Sequence, residues 1–294
     1  MTKKWLITLG ILASMGCAGC ATTSKTVRLD EAPQSSSHRQ VRGVFPFQGE
    51  LLTFEARHVA TKAVVADATV QVGYEQKMQD GTRYIPIIGQ AASKSIVRLF
   101  ARIDDRTEAY IDPDTWETIY SYKHLHENDR DREYNVWFWN EDNIAAAERH
   151  QNERTSKRDY VIPPGTIDSI AWVFEIRTHE FDEGKQYIWY TFDGWTLNRI
   201  TLKVFGMEDV WTENGFYHCR KFEIWRERSE AIAPRGALSG VFIEPSRVVY
   251  VENYKLASAW LADDKLHTPV RMVVDTGIGE FDLLLKAVGN VDHE

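Results

Sequence analysis

The sequence predicts an all-β protein: a long antiparallel meander curled into an open barrel or half-barrel, with one short helix packed on it. Three observations predict this. Apolar and polar residues alternate with period two through most of the chain beyond residue 44, the mark of half-buried strands. Glycine-containing turn signals separate those runs at strand-length intervals. A single stretch follows helical spacing instead, and consecutive strands joined by tight turns make a meander rather than a parallel sheet with crossover helices.

The first element is a leader, residues 1–16. Lys3 and Lys4 give a basic start, Trp5 to Leu12 run almost without polarity, and Ala13-Ser14-Met15-Gly16 precede Cys17. This order is that of a bacterial secretion signal ending in a lipidation box, in which the cysteine thiol accepts a diacylglycerol. The apolar segment is shorter than the ~20 residues that span a bilayer as a helix. Cys17 is the favoured acceptor and Cys20, preceded by Ala18-Gly19, the alternative. Acyl chains gain ~0.8 kcal/mol per buried methylene, so a doubly acylated cysteine holds firmly to a membrane. The absence of Asp after Cys17 fits delivery to an outer membrane with the domain facing the periplasm.

Residues 17–43 are polar, with Thr22-Thr23-Ser24-Lys25 and Ala32-Pro33-Gln34-Ser35-Ser36-Ser37-His38, and read as a lipidated flexible tether. A single β-rich domain, residues 44–290, is expected to follow. Its strands are marked by Leu52, Phe54 and Ala56, by Val70 and Val72, by Val97, Leu99, Ala101 and Ile103, and most cleanly by Ile200, Leu202 and Val204, each set alternating with polar residues. Asp80-Gly81, Asp193-Gly194 and Asn214-Gly215 are two-residue hairpin signals whose central positions both favour positive φ. Asp112-Pro113-Asp114 suits a type I turn, and Thr276-Gly277-Ile278-Gly279 a looser hairpin. Ile167, Ile170, Ala171, Phe174 and Ile176 are spaced for a helix over 167–178, with Thr166 as its N-cap. The charged stretch 141–158, with Ala145-Ala146-Ala147 at its centre, reads as a long exposed hairpin rather than a short helix.

Composition narrows the function. Hydrophobic residues make up 43% of the 294 and aromatics 12%, enough for a sizeable core. Loss of two of the 35 Lys and Arg with the leader, against 43 Asp and Glu, leaves a charge of about −10. That excess argues against nucleic acid and against a basic membrane-binding face. No phosphate-binding loop and no dinucleotide fingerprint is present. Ser239, in Gly236-Ala237-Leu238-Ser239-Gly240, lacks the spacing of a nucleophile elbow and reads as a surface loop. Cys219 alternates with Tyr217 and reads as a buried, inert thiol.

Two further groups bear on chemistry. In His124-Leu125-His126 both imidazoles fall on one strand face and could reach one metal ion with Glu127 or Asp129, but no third histidine completes a ligand set. A solvated loop is the default there, and no metal site is expected. Asp104-Asp105 and Asp112 with Asp114 read as turn and cap residues ahead of paired catalytic carboxylates or calcium ligands. The aromatic residues are the stronger lead. Tyr134, Trp137, Phe138 and Trp139 crowd one strand, and Tyr187, Trp189, Tyr190, Phe192 and Trp195 a second. Such strands are apolar on both faces, which implies two-sided burial or one face lining a ligand groove through Trp137, Trp139 and Trp189.

The chain resembles the DUF3108 family of uncharacterised bacterial envelope proteins. The resemblance lies in Phe47-Gln48-Gly49-Glu50-Leu51-Leu52-Thr53-Phe54, in Tyr110-Ile111-Asp112-Pro113-Asp114-Thr115, in Val161-Ile162-Pro163-Pro164 through Asp168 to Arg177, and in Ala259-Trp260-Leu261-Ala262-Asp263-Asp264 leading to Pro269-Val270. These span roughly residues 45–288. The resemblance implies an envelope location and a β-rich domain, with no catalytic residue to carry over. The His-Leu-His segment and the stretch 141–158 lie outside it. The expectation is a non-enzymatic, outer-membrane-anchored lipoprotein without cofactor, held to the membrane by its lipid. It would bind an apolar envelope component or partner protein, or serve as a subunit of an envelope machine; a metal-dependent hydrolase is the remote alternative.

Overall fold

The computed structural model describes residues 25–27, 41–94, 97, 102–128, 130–230, 248–276 and 279–291. Among them are 17 strands and one helix. The chain enters the core at Phe45 and Phe47, both buried, while Val44 is exposed. An antiparallel meander then runs through the strands Glu50–His58, Val64–Val72, Arg83–Ser93, Ile103–Ile111, Thr118–Glu127, Arg130–Trp139, Ile144–Gln151 and Arg154–Val161. A second meander follows through Gln186–Phe192, Leu197–Thr212, Gly215–Glu230, Val248–Ala262, Pro269–Asp275 and Glu280–Asn290.

The two meanders are one sheet, because the last strand pairs with the first long one, Leu285 opposite Phe54 and Val288 opposite Leu52. The free edges of that sheet are Arg154–Val161 and the two-residue strand Ile167–Asp168, which pairs in parallel with Thr191 and Phe192. Five residues of chain separate those edges, so the sheet curls back on itself. The curl remains open and is sealed by side chains. Tyr190 and Phe192 from one end pack with Val136, Phe138, Ala145, Ala147 and Tyr160 from the other, with the Tyr160 and Phe192 ring centroids 4.8 Å apart.

Alternation predicts the buried face well. Leu52, Phe54, Ala56, Val70, Val72, Ile200, Leu202 and Val204 are all buried. The stretch 141–158 forms a hairpin of regular strands joined at Asn152, which takes φ +54°. At the predicted glycine turns, Gly81, Gly194 and Gly215 take positive φ, whereas Asp80, Asp193 and Asn214 do not. The hairpin after Thr212 therefore turns on Glu213-Asn214, with Gly215 already paired to Thr212. The strand expected from Val97 starts instead at Ile103; Leu99 and Ala101 lie outside the described residues, as do Gly277 and Ile278 of the predicted hairpin.

The helix spans Ser169–Ile176, shorter than the spacing predicts, and its N-cap is Asp168 rather than Thr166. Ile167 and Asp168 remain extended because they pair with the sheet edge, so the helix begins only after them. Asp168 Oδ1 accepts from the Ile170 amide at 2.8 Å, while the Thr166 hydroxyl donates to the Pro163 carbonyl at 2.6 Å. The helix is buried on two sides. Ile170, Ala171 and Phe174 join the core with Phe45, Phe47, Ile85 and Ile111, and Trp172 and Ile176 join that of Leu202, Phe222 and Ala259. Each such large apolar side chain contributes about 1.5–3 kcal/mol on burial. The space inside the curl is thus occupied by the protein's own helix.

Candidate functional site

Cross-strand register sets what each face presents. On the hairpin Thr118–Glu127 and Arg130–Trp139, Ser121, Lys123, Leu125, Tyr134, Val136 and Phe138 point inward and are buried. Tyr120, Tyr122, His124 and His126 face outward, opposite Trp137, Asn135, Glu133 and Asp131 respectively. Trp137 and Trp139 are 42% and 46% exposed. This strand is therefore buried on one face only, against the expectation of two-sided burial. The strand Gln186–Phe192 does meet that expectation. Trp189 lies opposite Ile200 and packs towards the helix, 6.3 Å from the Trp172 ring, while Tyr190 and Phe192 fill the seam on the other face. The three tryptophans thus form no common groove.

The outer face carries instead a row of rings that crosses four strands. Tyr84 stacks on Tyr110 with centroids 4.5 Å apart, Tyr110 lies 5.3 Å from Tyr120, and Tyr120 lies 5.7 Å from Trp137. The phenol groups are fixed in place: Tyr84 donates to Gln76 at 2.8 Å, Tyr110 to Glu108 at 3.1 Å and Tyr120 to Asn135 at 2.6 Å. Burial, with the Glu108 carboxylate alongside, pushes the Tyr120 phenol up to about 12. Rigid amphipathic rings of this kind lose little conformational freedom on contact with a partner. Tyr84, Tyr110 and Tyr120 escaped the sequence reading because they lie on separate strands, and only the sheet register aligns them.

Further along the same face, His124 Nε2 lies 2.6 Å from Asp131 Oδ1 and His126 Nδ1 lies 4.0 Å from the same oxygen. They border a groove of about 550 Å³ with Asp67, Asp104 and Arg106. From sequence, Glu127 or Asp129 is the candidate third group. Glu127 points inward and is buried, and Asp129 lies outside the described residues. Sequence spacing alone does not point to Asp131, which the strand register places directly opposite His126.

The remaining singled-out residues have structural settings. Asp104 and Asp105 lie within a strand, not in a turn: Asp104 faces out, and Asp105 is buried beneath the His126 amide, which donates to it at 3.0 Å. Burial and the nearby Glu127 carboxylate push the Asp105 carboxyl up to about 7. Asp112 organises its turn by accepting from the Asp114 and Thr115 amides at 2.9 and 2.8 Å. Cys219 is a free, fully buried thiol that burial pushes up to about 12, which makes it unreactive. Cys17, Cys20 and Ser239 lie outside the described residues.

Fold and surface define an all-β protein with an open, curled antiparallel sheet plugged by one helix. The chain belongs to the DUF3108 family, proteins of unknown function, whose family model matches residues 53–286. No curated protein matches it. Among solved structures it is similar to a β-barrel-like protein of the domain of unknown function DUF1849 from Brucella abortus, at 10% identity and a TM-score of 0.48, covering 86% of this chain and 100% of that one. It is also similar to a protein described as exported, with a YmcC-like fold, from Bacteroides fragilis (9% identity, TM-score 0.30, 85% and 100% coverage). A protein described as a lipoprotein from Parabacteroides distasonis is similar to the same degree (9% identity, TM-score 0.30, 85% and 99% coverage).

Proposed function

We propose that this protein is a lipid-anchored component of the bacterial envelope, tethered to the outer membrane through Cys17 and facing the periplasm. It catalyses no reaction and binds an envelope partner protein through the outer face of its sheet. The leader supports the location. The observation that carries the binding role is the ring row Tyr84–Tyr110–Tyr120–Trp137, flanked by exposed Trp139. Tyrosine and tryptophan are enriched among residues that dominate protein–protein affinity, and these rings are held rigid by their neighbours. Carriage of a lipid inside the curl is disfavoured because the helix occupies that space.

The test is photo-crosslinking in living cells, with a photoreactive amino acid replacing Trp137 or Trp139 and, as a control, the exposed Lys157. Discrete protein adducts at 137 and 139, absent at 157, support the reading. Lipid adducts at the same positions assign the face to lipid binding instead, and equal labelling at all three positions removes the proposed site.

A further inference from the structure

We propose that His124, His126 and Asp131 form a binding site for a single divalent transition-metal ion of the zinc and copper class. This site is independent of the partner-binding role above and lies at the far end of the same face.

Residues two apart on a strand point to one side, so His124 and His126 present both imidazoles outward. The next strand, Arg130–Trp139, pairs antiparallel with this one, and register sets Asp131 opposite His126. One ligand atom from each of the three residues lies within 4.8 Å of the others. Zinc holds imidazole and carboxylate at about 2.0–2.2 Å in tetrahedral geometry, which sets ligand atoms roughly 3.3 Å apart. The observed separations of 2.6 Å (His124–Asp131) and 4.0 Å (His126–Asp131) lie on either side of that value. Rotations of side chains that are 40%, 27% and 60% exposed suffice to equalise them, with no movement of the sheet.

The donor chemistry selects the ion. Two neutral imidazoles and one carboxylate suit zinc and copper and are poor for calcium or magnesium, which take all-oxygen shells. Because the site opens into the groove of about 550 Å³, the remaining coordination positions are left to water or to a ligand from solution. Arg106, which borders that groove, donates to Glu108 at 2.6 Å, so its guanidinium already has a carboxylate partner. Among the described residues no second group of three such side chains occurs. His218 with Asp209 at 2.8 Å and His150 with Glu148 at 2.9 Å are two-residue pairs only. The absence of a third histidine, which made a metal unexpected from sequence, is met by a carboxylate from the neighbouring strand.

The test is titration of the full-length, detergent-solubilised protein with zinc chloride, followed by calorimetry and by thermal melting. The expected result is one equivalent bound and a melting temperature that rises with zinc concentration, since an ion bound only by the folded state stabilises it. His124→Ala, His126→Ala and Asp131→Asn should each weaken binding at least tenfold and reduce the thermal shift, while His218→Ala leaves both unchanged. Should a histidine variant fail to fold, Asp131→Asn, at a largely exposed position, still decides the matter. Absence of zinc binding, or binding that survives both His126→Ala and Asp131→Asn, overturns the site.

Discussion

Arg177 and Glu50 meet in a buried two-pronged ion pair, Nη1 to Oε2 at 2.6 Å and Nη2 to Oε1 at 2.7 Å. The pair joins the residue that closes the helix to the start of the first long strand. The guanidinium also donates from Nε to the Leu266 carbonyl at 3.0 Å and lies 4.1 Å from the Phe47 ring centroid. It thereby ties the helix to both meanders. Removal of one member leaves the other charge buried without a partner, which costs about 3–5 kcal/mol. Arg177→Met and Glu50→Gln should each lower urea-unfolding stability by that order. A loss below about 1 kcal/mol in both would mean that the pair does not hold the helix in place.

A second buried pair secures the opposite end of the helix. Lys123 Nζ lies 3.0 Å from Asp168 Oδ2, with side chains 3% and 0% exposed. The same ammonium donates to the Asp193 carbonyl at 3.3 Å, and the Asp168 amide donates to Thr118 Oγ1 at 3.0 Å. Asp168→Asn retains the helix cap but strands the Lys123 charge, so it should cost about 3 kcal/mol or more. Combined with Lys123→Met, it should recover part of that loss, and a double-mutant cycle reads the difference. Strict additivity of the two substitutions would contradict a direct interaction.

Asp105 gives the protein a defined pH response. Its buried carboxyl keeps its proton up to about pH 7, whereas its ordinary value is 3.8. Between those values the folded state holds a proton that the unfolded chain has released. Stability from this group is therefore greatest at the acid end, falls as pH rises towards 7 and levels off above it. Asp105→Asn removes that fall, so its advantage over the wild type should grow by a few kcal/mol from pH 4 to pH 8. Melting temperatures recorded in chelator-containing buffer across that range check it. A difference that does not change with pH contradicts it.

Trp137 and Phe138 are chain neighbours on opposite faces of one strand. Phe138 is 5% exposed and part of the seam, so Phe138→Ala should cost about 3–5 kcal/mol. Trp137→Ala and Trp139→Ala, on the outer face, should change stability by about 0.5 kcal/mol or less, while Trp137→Ala weakens the protein crosslink from position 139 and Trp139→Ala the one from position 137. A large stability loss at Trp137 would make it a structural residue rather than a contact.

Much of this fold was legible because strand burial is a local property. Leu52, Phe54 and Ala56 announce their face through their own alternation, and so do Ile200, Leu202 and Val204. Closure of the two meanders was not legible. The pairing of Leu285 with Phe54 spans almost the whole domain, and neither strand alone names its partner. The same limit explains the tryptophans. Period two shows that the strands of Trp137 and Trp189 carry aromatic residues on both faces, but only the overlap of the sheet ends covers the second face of Gln186–Phe192 and leaves that of Arg130–Trp139 bare. Thr166 failed as a cap because sheet pairing at Ile167 and Asp168 outweighed local helix spacing. Asp105 reads from its sequence neighbours as a turn or cap residue, and a buried mid-strand carboxylate is costly unless its charge is removed or its oxygens are satisfied. Here the His126 amide satisfies it and its carboxyl stays protonated well above its ordinary range.

The functional reading depends on this sheet standing at a membrane surface, and mass spectrometry of the native protein's amino-terminal peptide tests that most directly. The account predicts a mature chain that begins at Cys17, or at Cys20, and carries a diacylglycerol, with the protein in the outer-membrane fraction and released from it when both cysteines are replaced by serine. An intact leader, or a mature terminus without acyl chains, would contradict it.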